Sequence, residues 1–268
     1  MMKKIVCLAV AAFSAAVIGL SAGCGGQGFS KQENKGEAVI RAGMDAAYPP
    51  FGSQDLNSKE YVGFDVDIIK AVAAEENLKV QIKNVNFDGL IPALQTGDID
   101  VAINDITITD DRAKSVDFSK RYYIAGLGVV VKADNDSIVK KEDLKGKTLG
   151  VTIGSTGEEA ARKIEGADVR VYNTLSDAFI DLKHGAVEGV VNDIPTNEYY
   201  VAKTNDNSVK SAPVALTTEN LGIAVKKGNT ELLAKIESGL AKIKKNGKFA
   251  EIYRKWFGKN PPQALLEE

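Results

Sequence analysis

Cysteine is scarce in this sequence, which contains only Cys7 and Cys24 among its 268 residues. Both lie within the first 24 residues, so the rest of the chain can form no disulfide and offers no thiol nucleophile. The remaining domain, roughly 225 residues without its tether and tail, can bury a core large enough to be stable without one.

Histidine is scarcer still, because His184 is the single example. A Ser-His-Asp triad would have to use it, yet no G-x-S-x-G elbow is present. One histidine without a free thiol excludes a transition-metal site, and "NDITITDDR" lacks the spacing of a calcium loop. "KGKTLG" also lacks the first glycine of a phosphate loop. The sequence therefore predicts no catalytic residues, no metal and no cofactor.

An excess of positive charge is missing as well. Lysine and arginine number 34 against 36 aspartate and glutamate residues, which gives a net charge of -2 at pH 7. No basic stripe interrupts this balance, so we expect no nucleic-acid partner.

The one long uncharged run lies at the N-terminus, from Ile5 to Gly23, after two lysines. Small residues precede Cys24, and a polar, glycine-containing stretch follows it. This pattern predicts a lipoprotein signal peptide over 1–23, a lipid on Cys24 and a flexible tether over 24–37. The protein would then be extracytoplasmic and anchored to a membrane. The alternative is a transmembrane anchor, since the run is nearly long enough to span a bilayer.

The rest of the sequence alternates strand and helix patterns, which indicates an α/β fold with a largely parallel sheet. "YYIAGLGVVVK" predicts one long strand, and Asp65 is a candidate N-cap for the helix that follows "YVGF". The tail over 259–268 predicts no regular structure.

Polar residues follow four of the predicted strands. They are Asp45 to Tyr48, Asn104 to Arg112, Ser155 with Thr156, and Asn192 with Asp193. Open α/β sheets bind ligands outside the carboxyl ends of their strands, so these groups predict a binding site.

Several motifs, in order, resemble the extracytoplasmic solute-binding proteins of polar amino acid ABC transporters. They are "YVGFDVDI", "NFDGLIPALQTGDIDVAI", "DITITDDRAKSVDFS", "YYIAGLGVVVK", "GVTIGSTGEEAA", "GVVNDIPTNEYY" and "AEIYRKWFG". The resemblance covers roughly Ala38 to Gly258 and implies delivery of a free amino acid to an ABC transporter permease. A monomer is the default expectation, because the sequence carries no signal for oligomeric state.

The resemblance also implies the type II periplasmic binding protein fold, in which two α/β lobes close on the ligand. Two strands would cross between the lobes, near Tyr122–Gly126 and Thr217–Leu221. Lobe 1 would then comprise 38–124 plus 219–258, and lobe 2 would comprise 125–218.

Site roles follow from the same resemblance. Arg112 matches the arginine that grips the ligand α-carboxylate, and Asp193 matches the carboxylate that holds the α-ammonium. Further donors to the ligand carboxylate match Thr107, Ser155 and Thr156. Positions around the ligand side chain match Asp45, Tyr48 and Phe87. The sequence departs from the family at Asn104 and Asp105, where relatives usually carry small residues.

These roles agree with the chemistry of a zwitterion, whose two charged ends each need a partner once water is excluded. A guanidinium forms two parallel hydrogen bonds with a carboxylate, and a helix start after Ser155 would add N–H donors. Plainer interpretations remain open. Arg112 could pair with Asp110 or Asp111, Tyr48 and Phe87 could be core residues, and Ser155 or Thr156 could serve only as a helix cap.

The ligand side chain is the least constrained feature. If Asp45, Asn104 and Asp105 face the cleft, two carboxylates lie there without a matching cation from the protein. We therefore expect a basic amino acid, arginine or lysine, with its stem along Tyr48 and Phe87 and glutamine as the rival ligand. Two other functions stay open on this scaffold, a dehydratase of small carboxylic acids and a sensory domain.

Overall fold

The computed structural model describes residues 38–203 and 207–267. The signal peptide, the tether and Cys24 lie outside the described residues. Within those two ranges, no helix has both the length and the apolar character needed to cross a membrane.

The strands of this part of the chain are short and follow the predicted alternation. In chain order they are β1 (Ala38–Met44), β2 (Ala47–Tyr48), β3 (Gly52–Gln54), β4 (Tyr61–Val62), β5 (Leu78–Asn84), β6 (Val101–Ala102), β7 (Val116–Phe118), β8 (Tyr123–Ala125), β9 (Leu127–Lys132), β10 (Thr148–Thr152), β11 (Asp168–Tyr172), β12 (Gly189–Asp193), β13 (Val209–Ala215), β14 (Glu219–Leu221) and β15 (Ala224–Lys226).

In the described part of the chain an α-helix lies between six pairs of successive strands, and three further helices follow the last strand. They are α1 (Phe64–Glu75), α2 (Leu90–Thr96), α3 (Asp110–Ala113), α4 (Thr156–Arg162), α5 (Leu175–His184), α6 (Ile194–Lys203), α7 (Thr230–Lys245), α8 (Lys248–Phe257) and α9 (Gln263–Leu266).

The first lobe is built on a five-stranded sheet in the order β5-β1-β6-β15-β7, with β1 parallel to both neighbours. Helix α1 packs against α7 and α8. Aromatic rings fill this contact, since Phe64 meets Phe257 edge to face at 5.0 Å and Tyr123 stacks on Tyr253 at 5.5 Å. Such pairs add to the stabilisation that comes from burying their area.

The second lobe has its own five-stranded sheet, in the order β11-β10-β12-β9-β13. Strand β10 is parallel to β11 and β12, and β9 is antiparallel to β12 and β13. Apolar side chains on these strands, including Val129, Val151 and Val191, are buried against one another. This sheet and the first confirm the two-lobed α/β fold that the resemblance implied.

Two antiparallel strands, β8 and β14, join the lobes. The predicted single strand over "YYIAGLGVVVK" is wrong, because it breaks at Gly126 into β8 and β9. A Cβ on Gly126 would lie 2.3 Å from the carbonyl oxygen of Thr217. The two crossing segments approach so closely here that only glycine fits.

Two further predictions need correction. Asp65 is not an N-cap, because the helix begins at Phe64 after Gly63, and Asp65 lies fully buried in the first turn. The tail is not without structure, because it contains α9, whose Leu265 is fully buried. In both segments, the start of α1 and the C-terminal tail, the short run of residues around the buried position gives no pattern that would identify it as part of the core.

The central strands of each sheet run parallel and lie at the point where the strand order reverses. In the first lobe this point is between β1 and β6, and in the second it is between β10 and β12. Their carboxyl ends are therefore the places where loops from both lobes leave room for a ligand.

Candidate functional site

Residues of both lobes line a narrow void. The lining residues are Tyr48, Phe87, Asp105 and Thr107 from the first lobe and Thr152, Ser155, Thr156 and Asp193 from the second. All except Thr152 were predicted from the sequence. Thr152 is the last residue of β10, so the same strand-end pattern could have identified it.

Arg112 lies beside this void, in the short helix α3. Its guanidinium donates to the carbonyl oxygens of Thr107 at 2.9 Å and Gly154 at 3.0 Å, and so joins the two lobes. It also stands 5.4 Å from the ring centre of Phe87. Burial lowers the pKa of Arg112, while nearby carboxylates raise it. Asp111, which the sequence also offered as an ion-pair partner for Arg112, pairs with Lys114 instead.

Asp193 ends β12 on the opposite side of the void. One carboxylate oxygen accepts a hydrogen bond from the Tyr48 hydroxyl at 3.2 Å, and that hydroxyl also contacts Asn192 Oδ1. The other oxygen, Oδ1, is buried and has no partner among the described residues. Burial and the charge of Glu219 raise the pKa of Asp193 to about 7. Among the described residues, the site therefore lacks a hydrogen-bond donor for Asp193 Oδ1.

Asp105 is held in an unusual backbone conformation, with φ at 54°. Its backbone N–H donates to Asp65 Oδ2 at 2.8 Å, so a buried carboxylate supports this left-handed turn. Asp105 Oδ1 is buried without a partner in this part of the chain. Burial, together with the charge of Asp193, raises the pKa of Asp105 well above its usual value. Burial also raises the pKa of Asp65, to about 7.

Asp45 and Asn104 stand behind the wall rather than along it. The N–H of Asp45 donates to Asn104 Oδ1 at 2.8 Å, and Asp45 Oδ1 accepts from the N–H of Ala47 at 3.0 Å. Burial raises the pKa of Asp45. These bonds tie the loop after β1 to the loop after β6, and neither side chain is among those that line the void.

Four of the five hydroxyl groups in the wall have acceptors within the protein, whereas Thr152 Oγ1 is buried with no partner among the described residues. Ser155 is the N-cap of α4, where it accepts from the N–H of Glu158 at 3.1 Å and donates to Thr152 O at 2.7 Å. Thr107 and Thr156 both donate to one oxygen of Glu219, at 2.6 and 2.9 Å. Ser155 therefore caps the helix and also lines the void.

Sequence reasoning missed two buried carboxylates, Asp65 and Glu219. Asp65 stands at the start of an apolar helical pattern, where an aspartate is equally typical of a cap. Glu219 begins a strand, whereas the ligand rule selects strand ends. Only the crossing of two distant segments brings it to the cleft.

Acidic side chains outnumber basic ones at the site. Asp105 and Asp193 line the void, Asp65 and Glu219 contact the wall, and Arg112 is the one adjacent cation within the described ranges. Within those ranges no group of three or more histidine, cysteine or acidic side chains is arranged to hold a metal ion. The arrangement suits an organic ligand that carries one carboxylate and more than one donor group.

Comparison with known proteins agrees with this geometry. A profile of the bacterial extracellular solute-binding proteins, family 3, matches residues 40–259. The chain is 38% identical over 229 residues to an L-arginine-binding protein of Pseudomonas aeruginosa, covering 81% of this chain and 87% of that protein. It is 34% identical over 226 residues to the L-cystine-binding protein TcyJ of Escherichia coli K12, covering 84% of each. It is 35% identical over 279 residues to the ABC transporter glutamine-binding protein GlnH of Bacillus subtilis, covering 98% of this chain and 100% of that protein.

Solved structures give the same picture. An ancestral arginine-binding protein bound to arginine superposes with a TM-score of 0.79 at 46% identity, covering 82% of this chain and 99% of that chain. The ancestral amino acid-binding protein AncCDT-1, a precursor of cyclohexadienyl dehydratase, superposes with a TM-score of 0.76 at 40% identity, covering 82% and 96%.

Proposed function

The chain belongs to family 3 of the bacterial extracellular solute-binding proteins, and on that premise we propose that it captures a free amino acid outside the cytoplasm. It then delivers the amino acid to the permease of an ABC transporter. The observation that supports this function best is the placement of Arg112 and Asp193 on opposite sides of one void between two lobes. An amino acid presents opposite charges at the same two ends.

The contacts between the lobes give the protein a way to hold its ligand. Tyr48 reaches Asn192 and Asp193, and Arg112 reaches Gly154, each across the cleft. A ligand can enter the narrow void only when these contacts open, and it is enclosed when they form again. Hinge closure about two strands is the motion that such proteins use.

The preferred ligand, in this proposal, is a basic amino acid. Asp105 and Asp193 each keep a buried carboxylate oxygen without a donor among the described residues. A ligand with a guanidinium or ammonium side chain supplies donors and charge together, which a carboxamide cannot do. Glutamine is the second candidate, because relatives of this chain include a glutamine-binding protein as well as arginine-binding ones.

A thermal-shift panel of the twenty amino acids, with ornithine and citrulline, tests the proposed function. We expect arginine or lysine to raise the melting temperature most, because a ligand that binds only the folded protein stabilises it. Small-angle scattering with the best ligand should show a smaller radius of gyration. Absence of any stabilisation by the whole panel would contradict the function.

We further propose that the protein is attached to the membrane through a lipid on Cys24. We expect Cys24→Ser to release the protein into the soluble fraction, since the thioether that carries the lipid cannot form. Fractionation followed by immunoblotting measures this, with Cys7→Ser as the matched control that stays in the membrane fraction. A Cys24→Ser protein that remains in the membrane with its leader uncut would support the transmembrane alternative.

A dehydratase is the second candidate function, and the similarity to AncCDT-1 favours it over other enzymes. The cleft holds carboxyl groups whose pKa values are raised, as proton donors require. Incubation with prephenate or arogenate, followed by detection of an aromatic product, separates this function from binding alone.

A further inference from the structure

Glu219 is a buried carboxylate on the hinge strand β14, and it accepts hydrogen bonds from three hydroxyl groups. Its Oε2 accepts from Thr107 at 2.6 Å and from Thr156 at 2.9 Å. Its Oε1 accepts from Thr217 at 3.0 Å.

The three donors come from different parts of the molecule. Thr107 follows β6 in the first lobe, Thr156 begins α4 in the second lobe, and Thr217 belongs to the returning hinge segment. The first-lobe segment is also fixed to the hinge by backbone bonds, from Ile108 N–H to Asn220 O at 2.8 Å and from Gly222 N–H to Ile106 O at 3.0 Å.

Because of those backbone bonds, Glu219 moves with the first lobe. The bond from Thr156 then becomes the one that must break when the second lobe swings away. Both partners are atoms of the protein, so the bond stabilises the closed cleft in addition to any ligand.

The same bonds decide which atoms remain for the ligand. A threonine hydroxyl has a single hydrogen, and Thr107 and Thr156 have each donated it to Glu219. Their side chains can then offer only oxygen lone pairs to the void. The donors left for the ligand carboxylate are therefore the Arg112 guanidinium, backbone N–H groups and the Thr152 hydroxyl, which has no partner among the described residues.

We propose that Glu219 is a positioning residue for amino acid binding, which fixes the hydroxyls of Thr107 and Thr156 and latches the second lobe to the hinge in the closed cleft. This inference rests on the proposed function. It assigns Glu219 an effect on ligand release rather than on ligand contact.

Three variants separate the latch from a general loss of structure. Glu219→Met removes the acceptor at similar volume, and we expect the dissociation rate of arginine to rise about tenfold with little change in the association rate. Glu219→Gln keeps an acceptor oxygen and is expected to stay within threefold of the wild type. Thr218→Val, at the exposed neighbouring hinge residue, serves as the control and should leave both rates unchanged.

A double-mutant cycle with Thr156→Val identifies the partner. If Thr156 acts through Glu219, Thr156→Val raises the dissociation rate by a similar factor, and combining it with Glu219→Met adds little more. If the hydroxyl of Thr156 instead contacts the ligand carboxylate, the two effects multiply. Multiplied effects would overturn the inference.

A measurement without ligand keeps the latch testable even if no amino acid binds. Fluorophores on Leu56→Cys and Val139→Cys, which are 82% and 54% exposed and lie on different lobes, report the distance between the lobes. Cys7 and Cys24 are replaced by serine in this background. We expect Glu219→Met to shift the distribution toward longer distances and Glu219→Gln to leave it unchanged. A Glu219→Met distribution identical to the wild type would overturn the latch, whereas a failed amino acid panel alone would overturn only the proposed function.

Discussion

Arg112→Ala is expected to remove most amino acid binding while the protein stays folded. The guanidinium is the one cation beside the void in the described part of the chain, and it joins the lobes through Thr107 O and Gly154 O. Truncating one partner of a buried charge pair typically costs about 2–5 kcal/mol, or roughly 30-fold to several thousand-fold in affinity. The side chain is only half buried, so its loss leaves the core intact.

Titration calorimetry on the purified variants measures this effect, with arginine, lysine and glutamine as ligands. Arg162→Ala is the matched control, because Arg162 is an arginine of α4 that pairs with Glu158 on the surface. Arg112→Lys keeps the charge but loses the two parallel bonds, and an intermediate affinity is expected. Affinity of Arg112→Ala within threefold of the wild type would show that the ligand carboxylate is held elsewhere.

The sequence was sufficient to predict which strand ends come together, because the rule depends on the backbone. Strands β1, β6, β10 and β12 end at the cleft whatever their side chains are, so polar residues that follow them face a common space. The family resemblance supplied the roles of Arg112 and Asp193, which periodicity alone left open.

The layer behind the wall could not be predicted in the same way. Asp65 and Glu219 act on residues 40 and 112 positions away along the chain, and no local pattern encodes such pairs. Asn104 is the opposite case, because its position after a strand predicted a ligand contact. Its Oδ1 accepts the N–H of Asp45, whereas its Nδ2 is buried with no partner among the described residues. Which side chain faces the ligand and which supports the loop depends on packing between the lobes.

Asp105→Asn is expected to distinguish a basic ligand from glutamine. Asp105 Oδ1 is buried in the wall without a donor among the described residues, and the lining includes no lysine or arginine. Arginine brings a charge-assisted donor, so losing the carboxylate should weaken arginine binding about tenfold or more. Glutamine carries no side-chain charge, and its affinity is expected to change less than threefold.

The pH dependence gives a second measure of the same preference. Burial raises the pKa of Asp193 to about 7, and burial with the charge of Asp193 raises that of Asp105. Both groups are neutral when protonated, so a positively charged ligand must displace their protons. Affinity therefore falls as the pH drops below about 7 and levels off once both carboxyl groups have lost their protons. Arginine places positive charge against both carboxyl groups, whereas glutamine does so only against Asp193. The affinity for arginine should therefore depend more steeply on pH, because its binding displaces about one more proton.

Calorimetry at several pH values between about 5 and 8 tests the preference for a basic ligand over glutamine. The proteins compared are the wild type, Asp105→Asn and Asp45→Asn. Asp45→Asn is the matched control, because that carboxylate lies behind the wall and its oxygen already accepts the N–H of Ala47. We expect it to alter arginine affinity much less than Asp105→Asn does. Glutamine binding more than tenfold tighter than both basic amino acids would contradict the preference. So would an arginine affinity that Asp105→Asn leaves unchanged, since the unpaired oxygen of Asp105 would then have no part in choosing the ligand.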